Sequence, residues 1–166
     1  MEEEKIRENR AKLDRAEDYD EIFEIVKSTV ERILSLHRAG LSLVLTDMPN
    51  LVGAYYPAFS NTIVVNRGLV EDIRKIAKDP REVSSFVYTI LLHEYLHSLG
   101  YLDDAEVRSI SKKIAQDSFG EDHPSVRFAS GNWLEIYPEL ASRDRKFSKF
   151  FRTVERFDTS STPYFG

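Results

Sequence analysis

The chain is 166 residues long, 42% hydrophobic and 31% charged, which suits one globular domain over 1–166 with a core of its own. It has no cysteine, so disulfides, thiolate zinc ligands and a thiol nucleophile are all excluded. A net charge of −5 argues against a nucleic-acid backbone as the main partner. The start, Met-Glu-Glu-Glu-Lys, has no basic or apolar signal region, and no apolar run reaches membrane-span length. These features predict a cytoplasmic protein without a membrane partner.

Residues 1 to about 18 are dense in charge and read as a solvated helix or a frayed arm, with Ile6 and Leu13 the main apolar groups. From Asp20, the residues Ile22, Phe23, Val26, Val30, Ile33 and Leu34 recur at helical spacing up to Gly40, which predicts an amphipathic helix packed under a sheet. His37, just before that glycine, reads as a surface or capping residue. Strands are predicted over 41–46, 51–56 and 62–66, the last two as a hairpin. A helix follows over 68–78. Asp79-Pro80-Arg81-Glu82 then carries the N-cap, first-turn proline and N3 glutamate of a helix start. This helix runs to about residue 99, apolar on most of its surface and so central and buried, and Gly100 ends it.

The chemistry-bearing stretch lies at the end of that helix. His93-Glu94-Tyr95-Leu96-His97 is an H-E-x-x-H pattern, continued by Gly100 and Asp103. Residues i and i+4 share a helix face, so both imidazoles can point at one ion. Two imidazoles, a third ligand and an open position make a catalytic zinc site. Glu94 sits about 100° round the helix, where it can take a proton from a zinc-bound water. An unpaired glutamate in an apolar helix would be costly without such a role.

Beyond the motif, Asp103-Asp104-Ala105-Glu106 predicts another capped helix, closed by Gly120. Residues 125–142 read as partly helical, interrupted by Pro138. The stretch 143–156 is basic, read as a solvated face, and 158–166 is a mobile tail with little to bury. A tail of that kind, folded over the cleft, would make an enzyme latent. No internal repeat or domain linker is visible.

The run His93-Glu94-x-x-His97-x-x-Gly100-x-x-Asp103 resembles the zincin metalloproteases, in the metzincin variant where Asp replaces the third His. The sequence His97-Ser98-Leu99-Gly100 is similar to that of matrix metalloproteases, and the short plan resembles minimal zincins of bacteria and archaea. The likeness covers about residues 20–106. It implies an α+β, zincin-like fold: a small mixed sheet with a backing helix, a central helix bearing the motif, and a helical C-terminal part. It further implies a zinc metallopeptidase in which His93 and His97 bind Zn²⁺ and Glu94 is the general base. Peptide or protein would be the substrate, bound by strand addition along the 51–66 hairpin. The methionine turn of metzincins has no counterpart, since the only methionines are Met1 and Met48.

Three residues compete as third ligand. Asp103 fits the metzincin spacing and equally a helix N-cap. Glu106 lies one turn into the next helix, as in a gluzincin, and equally at N3 of a capping box. His123 is a loop histidine at the far end of that helix. Tyr101, Tyr137 and Arg127 are candidates for stabilising an oxyanion, with none assigned. Two other functions compete. A metal-dependent endoribonuclease of the rRNA-maturation type has the pattern H-x-x-x-H-x-x-G-Y-x-H, which shares His93, His97, Gly100 and Tyr101 but lacks the glutamate. The other alternative is a non-catalytic binding module on the same fold. The sequence leaves oligomeric state open.

Overall fold

The computed structural model describes residues 1–143 and 152–154. The mobile tail predicted over 158–166, and most of the basic stretch 143–156, lie outside the described residues. The fold is α+β. Helices α1 (Glu2–Arg15) and α2 (Tyr19–Leu34) precede strand β1 (Ser42–Thr46), β2 (Ala54–Tyr55) and β3 (Thr62–Asn66). Helices α3 (Arg67–Ile76), α4 (Pro80–Ser98), α5 (Asp104–Phe119), α6 (Pro124–Phe128) and α7 (Trp133–Ile136) follow. A 3₁₀ helix, Pro138–Arg143, and strand β4 (Arg152–Thr153) complete the described chain. Pro138 thus opens a short helix of its own. No helix among the described residues is long and apolar enough to cross a membrane.

The sheet has the order β2-β3-β1-β4. β1 and β3 run parallel, Leu43 opposite Ile63 and Leu45 opposite Val65. β2 is antiparallel to β3, Tyr55 opposite Val64, which is the predicted hairpin reduced to a two-residue pairing. Among the described residues β2 therefore has one paired edge and one open edge. β4 pairs antiparallel with β1, and Val154 N–H donates to the Leu43 carbonyl.

Helix α4 is the centre of the molecule. It begins where Asp79 accepts from the Glu82 N–H with Pro80 in the first turn, the predicted start. Val83, Phe86, Val87, Tyr88, Ile90, Leu91, Tyr95 and Leu96 are all buried, so the helix meets neighbours on every side. The sheet and α3 cover one side; α1, α2, α5 and α6 cover the rest.

Two expectations are corrected. Residues 1–18 hold a helix, one of the two predicted forms, but it is docked instead of solvated: α1 packs against α4 and α5, Leu13 is fully buried, and Asn9 donates to the Ser118 carbonyl at 3.0 Å. Leu13 and Asn9 are the buried residues of this helix, on the face that meets α4 and α5. Helix α2 packs chiefly on α4 instead of under the sheet, through a T-shaped Phe23–Tyr95 contact and a 2.7 Å hydrogen bond between Thr29 and Tyr88. It also stops at Leu34, where Ser35 turns left-handed with φ 56°, well before Gly40.

One side chain fixes the loop between β1 and β2. Asn66, at the end of β3, caps α3 by accepting from Leu69 N–H and also accepts from Met48 N–H. Its amide donates to the carbonyls of Met48, Pro49 and Val52 at 2.9–3.1 Å. These bonds seat residues 48–52 as one wall of the cleft described next. Gly53, beside that wall, faces Ile90 so closely that a Cβ there would lie 2.9 Å from Ile90 Cγ2.

Candidate metal centre

The last two turns of α4 are held by residues from outside the helix. Arg38 donates to the Ser98 carbonyl at 2.8 Å, which satisfies an orphan carbonyl at the helix end. The same guanidinium reaches the Tyr56 hydroxyl at 3.1 Å and the Ser60 carbonyl at 2.8 Å. The end of α4 and the segment after β2 are thereby tied into one unit. Gly100 then takes φ 110°, a backbone state that favours glycine, and the chain reverses into α5.

This reversal brings three donor atoms together. His93 Nε2 and His97 Nε2 are 3.2 Å apart. Asp104 Oδ1 lies 3.2 Å from the first and 2.8 Å from the second. Among the described residues this is the one group of His, Asp or Glu side chains placed to hold a metal. Two atoms each about 2.1 Å from one ion at a tetrahedral angle lie about 3.4 Å apart, so the triangle is close to one face of a zinc tetrahedron.

The hydrogen bonds around the two rings set which nitrogen of His97 faces the cluster. His97 Nδ1 is 2.7 Å from the Tyr101 carbonyl oxygen, which can only accept, so Nδ1 carries the proton. In the neutral ring, Nε2 then offers a lone pair. It faces a carboxylate oxygen and another imidazole nitrogen, an arrangement that a shared proton or a bound cation would satisfy. The carbonyl behind His97 is also the outer partner that metal-bound histidines usually have. Burial holds the His93 pKa below its ordinary value, against the pull of Asp104, which keeps this imidazole neutral and able to ligate. The hydrogen bond to His93 in turn holds the Asp104 carboxyl below the usual range.

Glu94 points into the same cleft and is buried. Burial, with the Asp104 carboxylate adding to it, raises its pKa to about 8, while the Tyr56 backbone N–H opposes the shift. The cleft has a volume of about 570 Å³. Residues 51–56 and Ala58 line it together with Phe128, Ala129, Gly131 and Trp133, whose indole N–H donates to the Asn50 carbonyl at 2.8 Å. Thr89, Ile90, Arg108 and Ser111 close the floor and side.

The three candidates for third ligand lie elsewhere. Asp103 is the N-cap of α5, its side chain accepting from Ala105 N–H at 3.0 Å. Glu106 is exposed on α5, outside the cluster. His123 is buried at the far end of α5, where Nδ1 accepts from Ser125 N–H and Nε2 donates to Asp14 at 3.3 Å. The residue that joins the histidines is Asp104, which the sequence reading passed over. Its signal was present: two adjacent aspartates follow the glycine turn, and only one can serve as the cap. Of the oxyanion candidates, Tyr137 and Arg127 both engage Glu82, and Tyr101 supplies the carbonyl behind His97. His37 is exposed between α2 and β1.

In comparisons with known proteins, no family model matches the chain, and no curated protein or solved structure matches it either.

Proposed function

We propose that this protein is a zinc-dependent metallopeptidase with a zincin-like fold, in which His93, His97 and Asp104 hold the ion. The observation that carries this reading is the meeting of three lone-pair donors beside the buried carboxylate of Glu94, at the floor of a cleft. Zinc bound there supplies a Lewis acid that polarises a carbonyl and lowers the pKa of water.

The chain's own groups account for the other steps. The open edge of β2 offers backbone N–H and C=O groups to an extended peptide, which would lie along the cleft past Glu94. The Tyr56 N–H holds the Glu94 carboxylate toward the ion site. A cation at the histidines would offset the burial that raises the Glu94 pKa, and the resulting carboxylate would take the proton of the attacking water and deliver it to the leaving amine nitrogen. Apolar walls from Val52, Ile90, Phe128 and Trp133 exclude bulk water from this transfer. Among the described residues Arg108 is the one Lys or Arg lining the cleft, and the glutamate that follows the first histidine, absent from the ribonuclease pattern, favours a peptide over RNA as substrate.

The test is zinc content per chain by elemental mass spectrometry, together with cleavage of a peptide library. About one zinc per chain is expected, lost in His97→Ala. Peptide cleavage is expected to fall by about a hundredfold or more in Glu94→Gln, with zinc retained. A protein that takes up no zinc on reconstitution, or that cleaves RNA and no peptide, would sink the reading.

A further inference from the structure

Asp104, Arg108 and Ser111 stand at i, i+4 and i+7 on α5 and form one stripe along the side of the cleft. The stripe starts at the metal centre and runs away from it. Apart from His93, Glu94, His97 and Asp104, Arg108 is the only charged side chain lining the cleft among the described residues. No hydrogen bond or ion pair engages its guanidinium among those residues. Its side chain is exposed, and its stem passes beside Gly131, which has φ 79°. A Cβ at Gly131 would sit 3.5 Å from Arg108 Cδ.

Ser111 supplies the second, independent observation. It is 1% exposed, and its hydroxyl has no hydrogen-bond partner among the described residues. A buried hydroxyl without a partner is costly, and this one lines the cleft one turn beyond Arg108. Guanidinium and hydroxyl are both donors, and the surrounding walls are apolar. A planar anion fits such a pair, because Arg forks onto two oxygens. Four residues of α-helix advance about 6 Å, and one extended residue spans about 3.5 Å. An anion at Arg108 therefore belongs to a residue one or two positions from a bond held at the metal centre.

We infer that Arg108 and Ser111 form a carboxylate-binding subsite, so that the enzyme takes peptides bearing a carboxylate one or two residues from the scissile bond. This rests on the peptidase reading for its purpose, though the binding can be measured without turnover. The carboxylate is either the C-terminal α-carboxylate or an acidic side chain, and the arms of the experiment separate the two.

Four acetylated tetrapeptides serve as probes, ending in Glu or Gln, each as the free acid or the amide. They are titrated into zinc-loaded Glu94→Gln protein, which binds without cleaving. Trp133, the single tryptophan of the chain, lines the cleft, so its emission reads occupancy. A carboxylate-bearing probe is expected to bind about tenfold more tightly than the amidated Gln peptide, less so at high salt. Preference for the Glu amide marks an acidic side chain, and preference for the Gln free acid marks the C-terminus. Arg108→Gln is expected to abolish the preference, and Ser111→Ala to reduce it about threefold. Equal binding of all four probes, no binding of any, or a preference that survives Arg108→Gln because the carboxylate sits on the metal, overturns the inference. Discriminating binding with no cleavage by the wild-type protein would keep the subsite and discard the peptidase.

Discussion

The ring of His97 is oriented by the Tyr101 carbonyl, 2.7 Å from Nδ1, four residues on and past the end of its own helix. The helix therefore has to end at Gly100 for the motif to have its orienting group. The expected consequence is a neutral His97 with the proton on Nδ1 in the zinc-loaded protein. Nitrogen-15 NMR of the imidazoles reads the tautomer directly, and a proton on Nε2 would remove the argument for a ligand there.

Asp104 faces the histidines while Asp103 caps α5. Asp104→Ala is expected to weaken zinc by more than about a hundredfold, beyond what loss of an outer-shell partner costs. Asp103→Ala is expected to leave zinc affinity unchanged and to cost about 1 kcal/mol of stability through the lost cap. Competition with a chromogenic chelator, beside urea unfolding, measures both. Loss of zinc in Asp103→Ala with none in Asp104→Ala would reverse the assignment.

Asn66 carries the cleft wall. Asn66→Ala leaves two buried N–H donors and three carbonyls without their partner, and is expected to cost at least about 3 kcal/mol. Faster amide hydrogen exchange over residues 48–53 should accompany the loss. A cost below about 1 kcal/mol would show that the loop is held by other contacts.

His123 makes stability depend on pH. Burial lowers its pKa in the folded state, outweighing the pull of Asp14. Nδ1 accepts from the Ser125 N–H, so a second proton would break that cap. The unfolded chain binds a proton near pH 6.5 and the folded one only below that. The contribution is therefore complete above about pH 6.5 and is lost as pH falls through the unfolded value. His123→Asn keeps a capping side chain and should flatten the fall in melting temperature between about pH 6.5 and 5. An unchanged profile in the variant would place the titrating group elsewhere.

Local rules carried much of the architecture. Asp79-Pro80-Arg81-Glu82 marks the start of α4, Gly100 its end and Gly120 the end of α5, because capping is written in adjacent residues. The i,i+4 spacing put His93 and His97 on one face for the same reason. Where α1 and α2 pack was not legible, since an apolar stripe states that a face is buried and not which neighbour buries it. Leu13 under α5 and Phe23 against Tyr95 are choices made by the assembled core.

The sequence by itself determined that two imidazoles and a carboxylate lie together at the end of a buried helix. Only the tertiary structure decided which aspartate meets them. Asp103 and Asp104 differ by one position, about 100° around α5, and the turn at Gly100 sets how that helix returns. The first side chain folds back to cap its own helix and the second faces the histidines. The same rotation aims Arg108 and Ser111 into the cleft, a stripe that shows only once α5 is seated against α4.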